Sequence, residues 1–296
     1  MDNSGLLQGR VAIVTGAGKG LGRAWALQLA AQGARVVVNN RSRAADAGPR
    51  SADAVVTEIQ CAGGEAVANH DSVEAADTGS RLVEQALQHF GRLDIVVANA
   101  GIDCAASFHK LALADFERVM EVNFHGVARL LHAAWPVLRA QTYGRVLVSG
   151  STAGLYGNHG QAAYASAKAA LQGLVKTLAI EGRSRGVLVN LLAPYAVTQL
   201  THGAFPAAQV AQFSAEAVAP LVAWLVTEHC RLTGQVIIAG AGGFRQVRTL
   251  ESDTLVIGDD IPDALERLQL LACSQAPESA SAEFENFSRS MANTPE

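Results

Sequence analysis

Seven short runs rich in β-branched residues punctuate this chain of 296 residues, at positions 10–15, 34–39, 66–69, 93–98, 144–149, 187–192 and 235–239, with helical patterns between them. Strands that alternate with helices predict an α/β fold: a doubly wound parallel sheet of seven strands with helices on both faces. Open sheets of this kind bind ligands beyond the carboxyl ends of their strands. The places where the runs end are therefore where functional residues are sought.

The first run ends in Thr15-Gly16-Ala17-Gly18-Lys19-Gly20-Leu21-Gly22, and a helical pattern continues from Arg23. Glycines here let backbone N–H groups and a helix N-terminus approach a pyrophosphate without side-chain obstruction. Gly16, Gly20 and Gly22 give Gly-x-x-x-Gly-x-Gly, which is out of register with the common Gly-x-Gly-x-x-Gly fingerprint. A tight strand-to-helix turn with no ligand is the alternative, and the position directly after the first strand weighs against it.

Tyr164 and Lys168 lie one helical turn apart, and Ser151 stands thirteen residues before the tyrosine, just past the end of the fifth run. Residues four apart share a helix face, so the ammonium can reach the phenol. A tyrosine loses its proton only near pH ~10, but a fixed neighbouring cation brings that value toward working pH and makes Tyr164 a plausible acid/base. A serine hydroxyl delivered from the strand end can hydrogen-bond the same substrate oxygen, as carbonyl/alcohol interconversion requires. The bland alternative is a half-buried tyrosine, a solvated lysine and a turn serine. Against it, Leu171, Leu174, Val175 and Leu178 continue the same face, which places the lysine on the apolar side of its helix, where it needs a partner. Upstream, Phe116, Met120, Phe124, Val127 and Leu131 form an apolar stripe around Asn123, whose amide must be hydrogen-bonded or costs ~1–3 kcal/mol.

Hydrophobic residues make up 49% of the chain and charged residues 17%, enough for a large core. A formal charge of −4 gives no basic footprint for nucleic acid. The first residues lack the pattern of a signal peptide and no apolar run has the length of a membrane helix, so a cytoplasmic protein is expected. Cys61, Cys104, Cys230 and Cys273 are scattered, which argues against a zinc site or a disulfide framework; no metal is expected.

Gly16-x-x-x-Gly20-x-Gly22, Asn99-Ala100-Gly101, Asn123, Ser151 and Tyr164-x-x-x-Lys168 occur in an order and approximate spacing that resembles the short-chain dehydrogenase/reductase family over residues 8 to 243. The resemblance implies a Rossmann-type sheet, a nicotinamide cofactor and a secondary alcohol or ketone as substrate. It implies that Tyr164 is the acid/base, that Ser151 orients the substrate oxygen, and that Lys168 lowers the tyrosine pKa and binds the nicotinamide ribose. Asn123 would complete a water-linked proton relay. Cofactor contacts would come from Gly16, Gly18, Lys19, Gly20, Leu21, Gly22, Asn40, Arg41, Asp71, Ser72, Asn99, Ala100, Gly101, Tyr164, Lys168 and Pro194. Two departures stand out: Ala98 precedes Asn99 where a second asparagine is usual, and Pro194 is followed by Tyr195 rather than glycine.

Residues 68–73, 156–161 and 219–225, with an inserted stretch at 41–50, are similar to the (3R)-hydroxyacyl-CoA dehydrogenase unit of peroxisomal multifunctional enzymes of type 2 and to its bacterial single-domain relatives, some of which act on steroids. This implies a 3-hydroxyacyl thioester as substrate, with a hydroxysteroid second; a non-catalytic nucleotide sensor is the reading from another class, disfavoured by the complete proton-relay set. The last three residues do not form a peroxisomal address. Asp71 would contact the adenine amine, although Asp71 with Glu74 also reads as a helix N-cap with its box glutamate. Asn39-Asn40-Arg41 stands where an acidic residue normally binds the ribose and repels a 2′-phosphate, and Lys19 adds a cation, so NADP is expected, with NAD as the alternative. By family analogy, the helices of Asn123 and Tyr164 pair across a two-fold axis in a homodimer or homotetramer. A dehydrogenase domain is expected over 1–248, with the segment from 195 to 217 as its substrate loop. An extension over 249–296 is expected to be partly helical, at 262–273, or disordered.

Overall fold

Each of the seven runs forms a strand in the computed structural model, which describes residues 5–41, 51–198, 206, 209–255 and 260–292. The inserted stretch at 42–50 and residues 199–205 and 207–208 of the expected substrate loop lie outside the described residues. In chain order the elements of the larger part are β1 (Val11–Thr15), α1 (Gly20–Ala31), β2 (Arg35–Asn39), α2 (Ser51–Cys61), β3 (Ala66–Asn69), α3 (Thr78–Phe90) and β4 (Ile95–Ala98). There follow α4 (Leu113–Met120), a π-helical turn (Glu121–His125), α5 (Gly126–Ala140), β5 (Gly144–Ser149), α6 (Ala153–Tyr156), α7 (Ala162–Gly182), β6 (Val187–Pro194), α8 (Ala219–Leu225), β7 (Val236–Gly240) and β8 (Gly243–Val247).

The strand order is β3-β2-β1-β4-β5-β6-β7-β8, and the pairs from β3 through β7 are parallel. Strand order reverses between β1 and β4, so the crevice beyond their carboxyl ends is the expected ligand position. The strands are apolar on both faces because helices cover both: Val11, Ala12, Ile13 and Val14 of β1 are all fully buried. Burying one such valine or isoleucine contributes ~1.5–3 kcal/mol, and on one side of the sheet Val14, Val36 and Ile95 pack in one cluster with Trp25, Leu29, Val222 and Leu225 of α1 and α8.

Among the described residues the large sheet has eight strands rather than seven. After β7 a two-residue turn with positive φ at both Ala241 (49°) and Gly242 (76°) reverses the chain, the geometry of a tight hairpin. Phe244, Arg245 and Gln246 of β8 are exposed, so no apolar run marks the strand in sequence. At the start of α3, the expected cap at Asp71 is not formed. The helix begins at Thr78, and Ser72 to Thr78 instead makes two short turns, closed by Ala75 N–H on Ser72 O and Thr78 N–H on Ala75 O.

Two apolar stripes are also rotated from expectation. In α7 Lys168, Leu171 and Val175 are buried while Leu174 and Leu178 are half-exposed. Upstream, Val119, Val122, Asn123, Val127, Leu130 and Leu131 are buried and Phe116, Met120 and Phe124 are half-exposed. The π-helical turn inserts an extra residue into the repeat and rotates the inward face, so no single helical period fits both sides of it.

By internal contacts the chain divides into two compact units, Met1–Gln246 and Val247–Glu296. The second pairs β9 (Glu251–Ser252) with β10 (Cys273–Gln275) antiparallel and adds two helices, α9 (Ile261–Leu270) and α10 (Ala280–Ala292). Asp260 caps α9 through its carboxylate on Asp263 N–H at 3.0 Å, and Ser279 Oγ accepts from Ala282 N–H at 3.1 Å at the start of α10.

Candidate active site

The glycine loop joins β1 to α1 at the strand-order reversal. Gly16 (φ 64°) and Gly20 (φ 52°) both occupy the left-handed region. At Gly22 a Cβ would lie 2.3 Å from Gly16 O and 2.6 Å from Asn99 Nδ2, so the loop folds back on its own helix only because that position has no side chain. The start of α1 has no side-chain cap, leaving its backbone N–H groups for another acceptor. Gly18 plays a different part from the other glycines: it packs beneath Asn40 and Ser51, where a Cβ would lie 2.4 Å from Ser51 Oγ.

A cleft of about 710 Å³ opens over this loop. It is lined by Gly16, Lys19, Gly20, Leu21, Gly22, Asn40, Arg41, Asp71, Ser72, Asn99, Ala100 and Gly101, twelve of the positions expected to contact a cofactor. Asn39, Ser51, Val73, Glu74, Ile102, Val122 and Thr198 line it as well and were not expected among the contacts. Gly18, Tyr164, Lys168 and Pro194, the other four expected contacts, do not belong to the lining. Pro194 ends β6, and Tyr195 after it donates its N–H to Ala239 O at 2.7 Å. Tyr195 packs against Gly240, where a Cβ would lie 2.7 Å from that of the tyrosine.

The residue most overlooked in sequence is Thr15. Its buried Oγ1 accepts from Asn99 N–H at 3.0 Å and Ala100 N–H at 3.1 Å, while Asn99 Nδ2 donates to Thr15 O at 3.0 Å. These bonds tie the ends of β1 and β4 together at the floor of the cleft. The only sequence signal is a threonine directly before the first glycine.

At the β2–β3 side the cleft wall is ionic. Arg41 and Arg118 both pair with Glu74, at 3.1 and 3.2 Å, and Ser72 Oγ donates to the same carboxylate at 2.8 Å. Burial pushes Glu74 upward, yet the Ser72 bond and the Arg118 and Arg41 charges outweigh it and hold the carboxyl below its ordinary value. Asp71 pairs with Arg81 at 3.3 Å and accepts from Asn69 at 3.1 Å. Asn39, almost fully buried, bridges Asn69 Oδ1 and Asp71 O. No carboxylate stands at the end of β2 itself.

On the other side of the reversal, Tyr164 and Lys168 project from one face of α7 and Ser151 follows β5. Ser151 hydrogen-bonds with the Tyr164 phenol, and its Oγ also accepts from Ala153 N–H at 3.1 Å. Lys168 Nζ donates to Ser149 O at 2.7 Å and lies 5.6 Å from the centre of the tyrosine ring. Burial lowers its ammonium to about 8. Burial raises the Tyr164 phenol, the Ser151 bond partly offsets this, and the Asp103 carboxylate adds to the rise. The protein by itself thus holds Tyr164 protonated, and the ammonium faces the ring and a carbonyl rather than the phenol oxygen.

Asn123 is fully buried in the π-helical turn. Its Oδ1 accepts from Ile102 N–H and its Nδ2 donates to Ile102 O, both at 2.8 Å. The amide holds the loop after β4, and Gly101 lets it pass: a Cβ there would lie 3.0 Å from Asn123 Oδ1 and 3.7 Å from Lys168 Nζ. Gly101 therefore connects the cleft lining with the buried Lys168 ammonium, which lies beside the half-buried Tyr164 ring.

A family model described as short chain dehydrogenase matches residues 10–209. A short-chain type dehydrogenase/reductase of Mycobacterium tuberculosis is 45% identical over 250 residues, covering 83% of this chain and 87% of that protein. The peroxisomal multifunctional enzyme type 2 of Mus musculus is also 45% identical, over 243 residues; the match takes in 81% of this chain but only a third (33%) of the mouse protein. The crystal structure of a short chain dehydrogenase from Mycobacterium avium superposes with a TM-score of 0.82 at 34% identity, covering 92% of this chain and 98% of the other.

Proposed function

Because the chain belongs to the short-chain dehydrogenase family, we propose that it interconverts a secondary alcohol and a ketone at Tyr164, Ser151 and Lys168 with a nicotinamide dinucleotide. The observation that carries this reading is the convergence of a half-buried phenol, a serine hydrogen-bonded to it and a buried ammonium beside a glycine-lined cleft. The cleft fits the dinucleotide: Gly16 and Gly22 bring bare backbone to its floor, α1 presents uncapped N–H groups, and Lys168 is a buried cation that donates to a neutral carbonyl. When bound, the nicotinamide supplies or takes up a hydride.

The chain's own groups do the rest. Ser151 donates to the substrate oxygen and orients it. Tyr164, kept protonated, gives its proton to that oxygen during ketone reduction and takes one back in the reverse direction. Lys168 holds a positive charge beside the phenol and offers it to the ribose. Asn123 keeps Gly101 and Ile102 in place and, through that loop, the distance between cleft and phenol. Tyr164→Phe tests the reading: fold and cofactor binding should survive while turnover collapses, and near-normal kcat would remove the mechanism.

NADP(H) is the proposed cofactor, with NAD(H) the alternative. In its support, the end of β2 carries Asn39, Asn40 and Arg41, and Arg41 and Arg118 share one carboxylate, leaving guanidinium charge in excess. A kcat/KM ratio near one, or an NAD preference untouched by Arg41→Ala and Lys19→Ala, would overturn this choice. The substrate class proposed is a 3-hydroxyacyl thioester, supported by the similarity to multifunctional enzymes of type 2; a hydroxysteroid is second. Efficient oxidation of free 3- or 17-hydroxysteroids with negligible activity on thioesters of several lengths would reverse that order. A homodimer or homotetramer is supported by half-exposed Phe116, Met120, Phe124, Leu174 and Leu178 on the two helices, and light scattering at micromolar concentration tests it. Among the described residues no helix is long and apolar enough to cross a membrane.

A further inference from the structure

Asp103 belongs to none of the family motifs, yet its backbone is among the best anchored in the site. Ile102 before it is held on both sides by Asn123, and Ala106 beyond it donates to Gly160 O at 2.8 Å, which fastens the loop after β4 to the loop before α7. The side chain is fixed too. Gln161 Nε2 donates to Asp103 Oδ2, and Gln161 Oε1 accepts from Asn158 Nδ2 at 2.7 Å, so the glutamine amide cannot turn away. Gln161 stands immediately before α7 and three residues before Tyr164, on the same side of the helix, and so brings the carboxylate to the phenol's side. Its charge acts on Tyr164.

The other carboxylate oxygen, Asp103 Oδ1, is buried and meets no hydrogen-bond donor among the described residues. A buried acceptor left without a donor is costly, and more so when it carries charge. We propose that Asp103 determines specificity: Oδ1 accepts a hydrogen bond from a hydroxyl or amide N–H carried by the substrate within about six bonds of its reacting carbonyl carbon, and repels substrates that present a carboxylate there. The inference rests on the alcohol/ketone reading above and narrows its substrate class to donor-bearing ketones. An acyl thioester supplies such a donor in the amide of its thiol arm, and a hydroxyketone supplies one in its hydroxyl.

The test compares kcat/KM for reduction of four neutral probes, and of acetoacetate, by the full-length enzyme with saturating reduced cofactor. S-acetoacetyl-N-acetylcysteamine carries an amide donor and 2-hydroxycyclohexanone a hydroxyl; ethyl acetoacetate and cyclohexanone are their donor-free counterparts. In the wild type one or both donor-bearing probes should be preferred over the counterpart, and in Asp103→Ala that ratio should fall on the order of tenfold to a hundredfold. The arm that loses its preference identifies the donor as amide or hydroxyl. Asp103→Asn keeps an acceptor for Gln161 and serves where the alanine variant folds poorly; its donor ratio should fall less, while its kcat/KM for acetoacetate, relative to ethyl acetoacetate, should rise. A uniform change across all four probes, or unchanged ratios in both variants, would overturn the inference while leaving the dehydrogenase reading intact. If the wild type reduces no ketone with either cofactor, the reading itself fails and the inference falls with it.

Discussion

The two sides of the cleft are built on opposite principles. Around Tyr164 the protein sets a half-buried phenol and a buried ammonium among few partners: Ser151, the Ser149 carbonyl and the single carboxylate of Asp103. Across the strand reversal, Arg41, Arg118, Glu74, Arg81 and Asp71 form paired, half-exposed charges that share partners. A lone buried group feels every change in its surroundings because the local dielectric is low. In a screened ionic wall, neighbours and solvent absorb a lost partner, and each exposed pair is worth only ~0–1 kcal/mol. The difference teaches where single atoms matter.

The largest effect should come from the buried side. Tyr164→Phe removes only the phenol oxygen, and kcat should fall by ~10²–10⁴ with little change in thermal midpoint or cofactor affinity. A variant that keeps most of its kcat would erase the contrast between the two sides. Asn123→Ala should follow, destabilising the fold by ~1–3 kcal/mol because it strands the N–H and C=O of Ile102 together. Denaturant unfolding reads this directly, and a loss below about 0.5 kcal/mol would mean that water replaces the amide without cost.

Lys168 gives an effect of intermediate size with a definite sign. Its ammonium is depressed to about 8 in the folded protein, whereas an unfolded lysine stays charged to ~10.4. Between those values the unfolded chain binds the extra proton, so this residue's contribution to stability rises with pH across the window and its penalty is fully present below about 8. Lys168→Met should therefore be more stable than the parent near pH 7, by on the order of 1–3 kcal/mol, with the advantage shrinking as pH rises toward 10. Free-enzyme kcat/KM should fall above about pH 8 in the parent as the ammonium is lost, and thermal melts and pH profiles of the two proteins check both halves. The smallest change belongs to the ionic wall. Arg41→Ala should lower the NADP:NAD ratio of kcat/KM by no more than about tenfold, because Lys19 remains in the cleft lining. A thousandfold loss would show that the wall is not redundant after all.

The parts visible in the amino-acid order are those whose signal is local. β1 through β7 are continuous apolar runs, and Tyr164, Lys168 and the glycine loop are spaced within single elements. β8 is hidden because its residues face solvent and only its turn geometry specifies it. The Asp71 cap failed because a carboxylate followed by a glutamate three residues later fits a turn as well as a helix start; here Asn69 and Arg81 claim the carboxylate first. The sequence does not single out α10, although Ser279 caps it and Phe284, Phe287 and Met291 follow at helical spacing. No described residue of the second unit is buried, so no core imposed that choice. Thr15 and Asp103 were overlooked for a third reason. Each acts through loops 58 or more residues apart, and nothing in the neighbouring sequence announces such a meeting.

The pair of hydrogen bonds between Asn123 and Ile102 can also be viewed as mimicry. The side-chain amide offers one donor and one acceptor at peptide spacing, so it meets Ile102 as another stretch of backbone would, adding one rung of a strand ladder from within a helix. Aspartate would lack the donor, glutamine would overshoot by a methylene, and serine would reach neither atom. Position 123 therefore favours asparagine over these alternatives, and a saturation library at this codon should return it most often among the most stable active clones.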